Sequence, residues 1–257
     1  MDSLFSIIGT LGAGTFAAAC AITLVAGTIK GLTGFAMPMI MISGLSLLMP
    51  PELALAALII PTVVTNGVQA LRQGWSAALA VVRRFRLYLG CLLVMLLISA
   101  QLVRTLPAEA LYLLIGVPVT GFALLNLSGW VPKLPAKTNG IEAAVGGFSG
   151  FIGGVSGVWG PPTVAYLTAL NMPKAAHVQA QGVIYATGAL ALLGAHLQSG
   201  VLRAETAPLS VLMLVPGLLG MMIGQRVQDR IDQKAFRRAT LFVLLIAGLN
   251  LVRRGLL

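Results

Sequence analysis

A twelve-residue stretch carrying glycines and a proline occurs twice in this chain. Residues 27–38 read GTIKGLTGFAMP and residues 150–161 read GFIGGVSGVWGP. Superposed at a spacing of 123 residues, they align Gly27 with Gly150, Gly31 with Gly154, Gly34 with Gly157 and Pro38 with Pro161, and set Thr33 opposite Ser156. A further proline pair, Pro50 and Pro173, follows at the same spacing. Both copies lie within apolar sequence, where glycine followed by proline ends one helix and starts another. Irregular backbone at membrane depth is tolerated only where protein buries it or a cavity adjoins it. Paired interruptions in the two halves of a chain point to the binding site of a secondary transporter.

The flanking sequence supplies the membrane. The chain is 58% apolar and 9% charged, with a mean hydropathy of +0.94. Apolar runs of spanning length recur, five per half, at about 4–29, 32–49, 53–71, 87–103 and 109–129, then 141–157, 158–172, 176–197, 207–224 and 236–252. The expected fold is an all-α polytopic membrane protein. It consists of two inverted-topology repeats of about five hydrophobic segments each, with broken or re-entrant helices at the glycine/proline motifs. The first transmembrane repeat covers 1–130, a cytoplasmic linker 131–140, and the second repeat 141–257. The alternating strands of a membrane barrel are absent from the sequence. The start, MDSLFSIIGT, has no basic region of a cleaved leader, so the first segment is expected to be retained.

A net charge of +10 invites a nucleic-acid reading, but the basic residues sit in short connections between apolar segments, the pattern of an inner-leaflet bias. Arg72, Arg83, Arg84 and Arg86 place the connection 72–86 in the cytoplasm and, by parity, the N-terminus outside. Lys30, Lys133, Lys137, Lys174, Arg226, Arg230, Lys234, Arg237 and Arg238 then also fall inside, leaving outside only Arg104, Arg203, Arg253 and Arg254 of the 17 basic residues. The basic connection is the third of the first half but the fourth of the second. An inverted repeat with an odd number of segments requires that exchange. The expected location is the cytoplasmic (inner) membrane, crossed several times.

The runs KGLTGFAMP (Lys30 to Pro38), GGVSGVWGPP (Gly153 to Pro162) and NMPKAAHVQAQ (Asn171 to Gln181) resemble the sulfite exporter family, TauE/SafE, whose members have two related halves, each opening with a glycine-rich segment and a proline. The resemblance spans nearly the whole chain. It implies transport of a small sulfur-containing anion, an organosulfonate such as sulfoacetate or else sulfite or thiosulfate, across the cytoplasmic membrane and mostly as export.

Elementary chemistry assigns candidate ligands. A helix that restarts after a break offers free N–H groups and the positive end of its dipole to an anion. This singles out Gly34, Phe35 and Pro38 at the first motif and Gly157, Trp159 and Pro161 at the second, with Thr33 and Ser156 as hydroxyl donors. Lys30 is the only basic residue in either motif and stands opposite Gly153. The third segment of each half carries a polar stripe, Asn66 with Gln69 and Gln181 with Tyr185, suited to line a cavity at helical spacing. His177 is the candidate gate. His196 is placed at the membrane interface, and Trp75 and Trp130 read as interface anchors. The glycine spacings Gly27/Gly31, Gly150/Gly154 and Gly220/Gly224 also suit close helix packing.

All seven acids, Asp2, Glu52, Glu109, Glu142, Glu205, Asp229 and Asp232, fall in connections or at segment ends. No carboxylate is therefore expected at membrane depth, which favours an anion over a cation and disfavours proton coupling through a carboxylate. Cys20 and Cys91 are read as small core residues, and no metal, cofactor or catalytic residue is expected. No DxxxD, HExxH or Ser–His–Asp arrangement supports a membrane-embedded enzyme, the reading weighed alongside an assembly subunit or a carrier of another small organic anion. The partners expected are the anion, membrane lipid and a second copy in a homodimer, with no nucleic acid.

Overall fold

The computed structural model describes residues 11–129, 138–170, 172–227 and 233–257, and within them every regular element is helical. The first half contributes α1 (Ala13–Thr33), α2 (Met37–Leu45), α3 (Pro51–Ala70), α4 (Trp75–Arg84), α5 (Arg86–Ala100) and α6 (Ala108–Leu127). The second contributes α7 (Asn139–Ser156), α8 (Gly160–Ala169), α9 (Lys174–Gln198), α10 (Ala207–Val227) and α11 (Gln233–Leu256). Single 3-10 turns continue α3 (Leu71–Gln73) and α5 (Gln101–Arg104). Six helices among the described residues are long and apolar enough to cross a membrane: α1, α3, α5, α6, α9 and α10, taking α3 and α5 with their extensions. Trp130, Lys133, Lys137, Asp2, Asp229 and Asp232 lie outside the described residues.

The connection expected at 72–86 is largely helix. α4 tucks Ala78 against Ala70 and Val183 and leaves Trp75 exposed. Its arginines and its ten-residue length disguise it as a loop. No equivalent precedes α10.

Both motifs break their helices. α1 ends where Gly34 turns left-handed (φ 79°), its N–H donating to Lys30 O at 2.7 Å. Ala36 is also left-handed (φ 75°), and Pro38 sits in the first turn of α2. α7 ends at left-handed Gly157 (φ 72°), whose N–H donates to Gly153 O at 2.7 Å, and α8 restarts at Gly160 with Pro161 in its first turn. The restarted helices have nine and ten residues. At about 1.5 Å per residue they rise about half the thickness of a bilayer core. Both halves therefore have a short second helix.

The halves are interwoven. α1 packs along α10 as α7 packs along α5, α10 lies on α3 as α9 lies on α5, and α3 pairs with α9 and α6 with α11. Setting α4 aside, each of these contacts maps onto its counterpart when the halves are exchanged. Glycine permits the closest approaches. A Cβ on Gly27 would stand 2.2 Å from Gly217 O, and one on Gly150 2.1 Å from Leu92 O. Gly31, Gly154, Gly220 and Gly224 back onto neighbouring backbone in the same way, so the outer glycines of each motif are packing positions.

One end of the bundle gathers the loops after α2, α5 and α9 together with the end of α11. There Arg203 bridges Glu52 and Glu205, both at 3.1 Å, and Arg104 donates to Ser199 O at 3.4 Å. Arg254 turns inward, over the Tyr112 ring at 4.4 Å and onto Ser46 O at 2.5 Å, where it closes the C-terminal end of α2.

Candidate functional site

The two breaks face one cavity. Its walls are Lys30, Phe35, Ala36, Pro38 and Met39 from the first motif, Gly157, Val158, Trp159, Gly160 and Pro161 from the second, with Asn66 of α3 and Tyr185 of α9 between them. The cavity measures about 20 Å³, room for about one water molecule and too small for a sulfur atom bearing three oxygens.

Four side chains tie the breaks together. Lys30, 2% exposed, donates its ammonium to Asn66 Oδ1. Asn66 donates through Nδ2 to Tyr185 O at 3.5 Å, and the Tyr185 hydroxyl donates to Gly160 O at 3.3 Å, in the first turn of α8. Trp159 meets Tyr185 edge to face at 6.5 Å. Among the described residues no carboxylate pairs with Lys30. A cation held inside the membrane by a neutral amide leaves most of its charge uncompensated, which makes its surroundings hospitable to an anion.

The backbone adds donors, unequally. At the start of α2 the amides of Ala36, Met37 and Met39 are those of a first turn, Pro38 having none. At the start of α8 Pro161 and Pro162 are both without N–H, leaving Trp159 and Gly160 as the amides nearest the cavity.

Of the residues singled out by sequence, Lys30, Phe35, Pro38, Asn66, Gly157, Trp159, Pro161 and Tyr185 stand on this wall. Thr33, Gly34, Gln69, Ser156 and Gln181 do not. Thr33 and Ser156 were expected to donate to an anion, but in this structure their hydroxyls hold the breaks. Thr33 Oγ1 donates to Ile29 O (2.8 Å) and accepts from Phe35 N (3.4 Å); Ser156 Oγ donates to Ile152 O (2.6 Å) and accepts from Val158 N (3.1 Å). Gln69 lies beside Gly34, and the side-chain nitrogens of Gln69 and Gln181 are buried without a hydrogen-bond partner. His177 is half-buried in the first turn of α9, away from the cavity wall. His196, expected at the interface, is fully buried, with Nε2 2.9 Å from Gly154 O and Nδ1 3.1 Å from Ser199 Oγ.

Sequence reasoning passed over Ala36, Met39, Val158 and Gly160, which carry no polar side chain to mark them. It also passed over a buried polar seam behind the second break. Tyr88 of α5 joins Ser149 of α7 and Thr163 of α8, both at 2.8 Å. Glu142 stands at a segment end, as expected, yet is only 2% exposed and accepts from Tyr88 N at 3.3 Å. Hydroxyls in Ser149, two turns before the break, and Thr163, about one turn after it, were the available signal.

The profile of the family described as sulfite exporter TauE/SafE matches residues 19–251, most of the chain. No curated protein and no solved structure gives a match.

Proposed function

The chain belongs to the sulfite exporter TauE/SafE family, and we propose that it exports a small sulfur-containing anion across the cytoplasmic membrane by alternating access at the cavity between its two breaks. The observation that carries this reading is Lys30, a buried cation answered among the described residues by the Asn66 amide, on a wall built from both interrupted helices. An arriving sulfite, thiosulfate or sulfonate takes the ammonium from Asn66, freeing the amide, and meets the first-turn N–H groups of α2 on the same side. Trp159 and Tyr185 form the opposite wall.

The exchanged helix contacts and the swapped loop charges support two repeats of inverted topology, with the N-terminus and the Arg203–Glu52 end outside. In such a frame the short helices α2 and α8 enter from opposite faces. Opening toward either side moves one short helix away from the other, which is the volume change that a cavity holding about one water needs before an anion can enter.

Purified protein in liposomes, assayed with sulfite, thiosulfate, sulfoacetate and taurine, tests the reading. Saturable exchange of at least one of these anions is expected, with small carboxylates weaker. Exchange of carboxylates in preference to every sulfur anion would transfer the site to another class of organic anion, and indifference to all of them would overturn transport at this cavity.

A further inference from the structure

α3 and α9 cross beside the first break, and polar groups are spread unevenly along the crossing. The Asn66 bond to Tyr185 O marks the level of the cavity. About one turn further, toward the end of α3 that leads into the arginine-bearing connection 72–86, stand Gln69 of α3 and Gln181 of α9. A Cβ placed on Gly34 would lie 3.5 Å from Gln69 Nε2, and one on Gly182 would lie 3.3 Å from Gln69 Cγ. Gln69 thus fills the angle between the left-handed turn of the first break and α9. Gln181, only 4% exposed, precedes Gly182 and lies one turn before Tyr185 on the same face of α9. α4 lays Ala78 on Ala70 and Val183, the next residue along each helix, and covers this end of the crossing.

The Nε2 atoms of Gln69 and Gln181 are both buried without a hydrogen-bond partner. Polar residues that hold membrane helices together do so by bonding to each other, so these two are not accounted for as glue. A buried donor left unmade costs free energy and calls for an acceptor that is there at another time. The far end of the crossing has no such groups. At the spacing of 123 residues, Asn66, Gln69 and Gln181 correspond to Ala189, Leu192 and Leu58, all fully buried. Where the turn at Gly34 faces the Gln69 amide, the turn at Gly157 faces the Leu58 methyl groups, 2.9 Å from a Cβ placed there. One approach to the cavity therefore offers amide donors and the other offers hydrocarbon. An anion leaving water needs donors in exchange for its hydration shell. We propose that Gln69 and Gln181 form an anion-receiving subsite between the first break and the α3–α9 crossing, on the cytoplasmic side of Lys30, through which a small sulfur oxyanion is loaded. Its oxygens accept the open N–H bonds of the two amides and then pass one turn on, to Lys30 and the first-turn amides of α2. The outer approach, past Leu58 and Leu192, holds no second subsite.

The proposal rests on the transport reading for its substrate and on the loop charges for its sidedness. Thiosulfate exchange in membrane vesicles of both orientations tests it. With saturating thiosulfate on the opposite side, Gln69→Leu and Gln181→Leu should each raise KM at the cytoplasmic face about 3- to 10-fold, the range of one neutral hydrogen bond. KM at the outer face should stay within about twofold. A KM unchanged at the cytoplasmic face, or raised equally at both, overturns the proposal. A second measurement needs no transport and serves also if a leucine variant does not fold. In a Cys20→Ser, Cys91→Ser background, Gln69→Cys should react with a membrane-impermeant methanethiosulfonate bearing a sulfonate, added at the cytoplasmic face. Relative to their rates with a free thiol, this reagent should be favoured about tenfold or more over one bearing a trimethylammonium group, as a donor-lined cleft requires. Leu192→Cys should show no such preference from the outer face. Failure of Gln69→Cys to react, reaction from the outer face alone, or no preference for the sulfonate overturns the subsite. If wild type moves none of the sulfur anions, the transport reading falls, and the labelling pattern alone decides the subsite.

Discussion

The first and second breaks share a backbone plan and differ in chemistry. Each closes its leading helix on a left-handed glycine, each is held by one hydroxyl bonded four residues back and two forward, and each has a proline in the restarted first turn. The first then adds Lys30, three first-turn amides and a strained Ala36. The second adds a further proline, Pro162, together with Trp159 and the Tyr88 seam that ends on Glu142. What the halves hold in common builds the interruption and packs it. What they do not share gives the cavity a cationic wall on one side and an aromatic wall, backed by a carboxylate, on the other. A duplicated scaffold that has to bind an asymmetric charge diverges in just this way, because a lysine on both sides would repel itself across a small closed cavity.

The largest effect expected from breaking this comparison is on transport. Lys30→Met should lower anion exchange by about 10- to 100-fold, the scale of one charge-assisted hydrogen bond. Moving the charge to the corresponding position with Gly153→Lys in the same protein should not restore exchange, because Gly153 faces Trp159. Recovery in the double variant would mean that the two sides are interchangeable.

Packing should respond symmetrically instead. Gly27→Ala and Gly150→Ala each drive a methyl group into facing backbone, at 2.2 and 2.1 Å, and each should cost about 1–3 kcal/mol in thermal or denaturant unfolding. A loss confined to one of them would show that the α1–α10 and α7–α5 contacts are not equivalent.

The backbone of the breaks sharpens the contrast at smaller scale. Ala36→Gly relieves a left-handed alanine and should stabilise the protein by up to about 1 kcal/mol. Gly157→Ala imposes that conformation on a side chain 2.9 Å from Leu58 and should destabilise by about 1–2 kcal/mol. Smallest, and equal in the two halves, should be Thr33→Ala and Ser156→Ala. Each removes a hydroxyl that braces a break and should cost about 1 kcal/mol of stability, with exchange affinity little changed. A large loss of affinity in either would return the hydroxyls to the anion site.

Much of this was legible in the residue string. Ten of the eleven helices among the described residues coincide with apolar runs, because a spanning helix has to be apolar over most of its length. The breaks were legible because only glycine accepts the left-handed turn cheaply and proline favours a first helical turn. Ligand identity at the breaks was harder to read. Gly27 and Gly34 look alike in sequence, yet one lies against Gly217 and the other is the turn itself; spacing alone does not separate close packing from close approach to a solute. Thr33 and Ser156 have two possible partners, the solute and their own helix, and in this structure each hydroxyl is bonded to its own helix. Glu142 looked like an ordinary acid at a segment end. Its burial depends on Tyr88 and Tyr166, distant in sequence and brought to it only by the packing of α5 and α8 on α7. α4 was missed because its arginines outweigh its apolar face in any window long enough to find a span.

The measurement that bears most directly on the two-break site is the position of the anion itself. Protein crystallised or imaged with selenite or selenosulfate, whose selenium is located by its anomalous signal, should show the heavy atom between the start of α2 and the start of α8, within hydrogen-bond reach of Lys30 Nζ through its oxygens, in a cavity larger than the present one. Selenium bound elsewhere in the protein, with Lys30 still on Asn66 and the space between Ala36 and Gly160 closed, would contradict it.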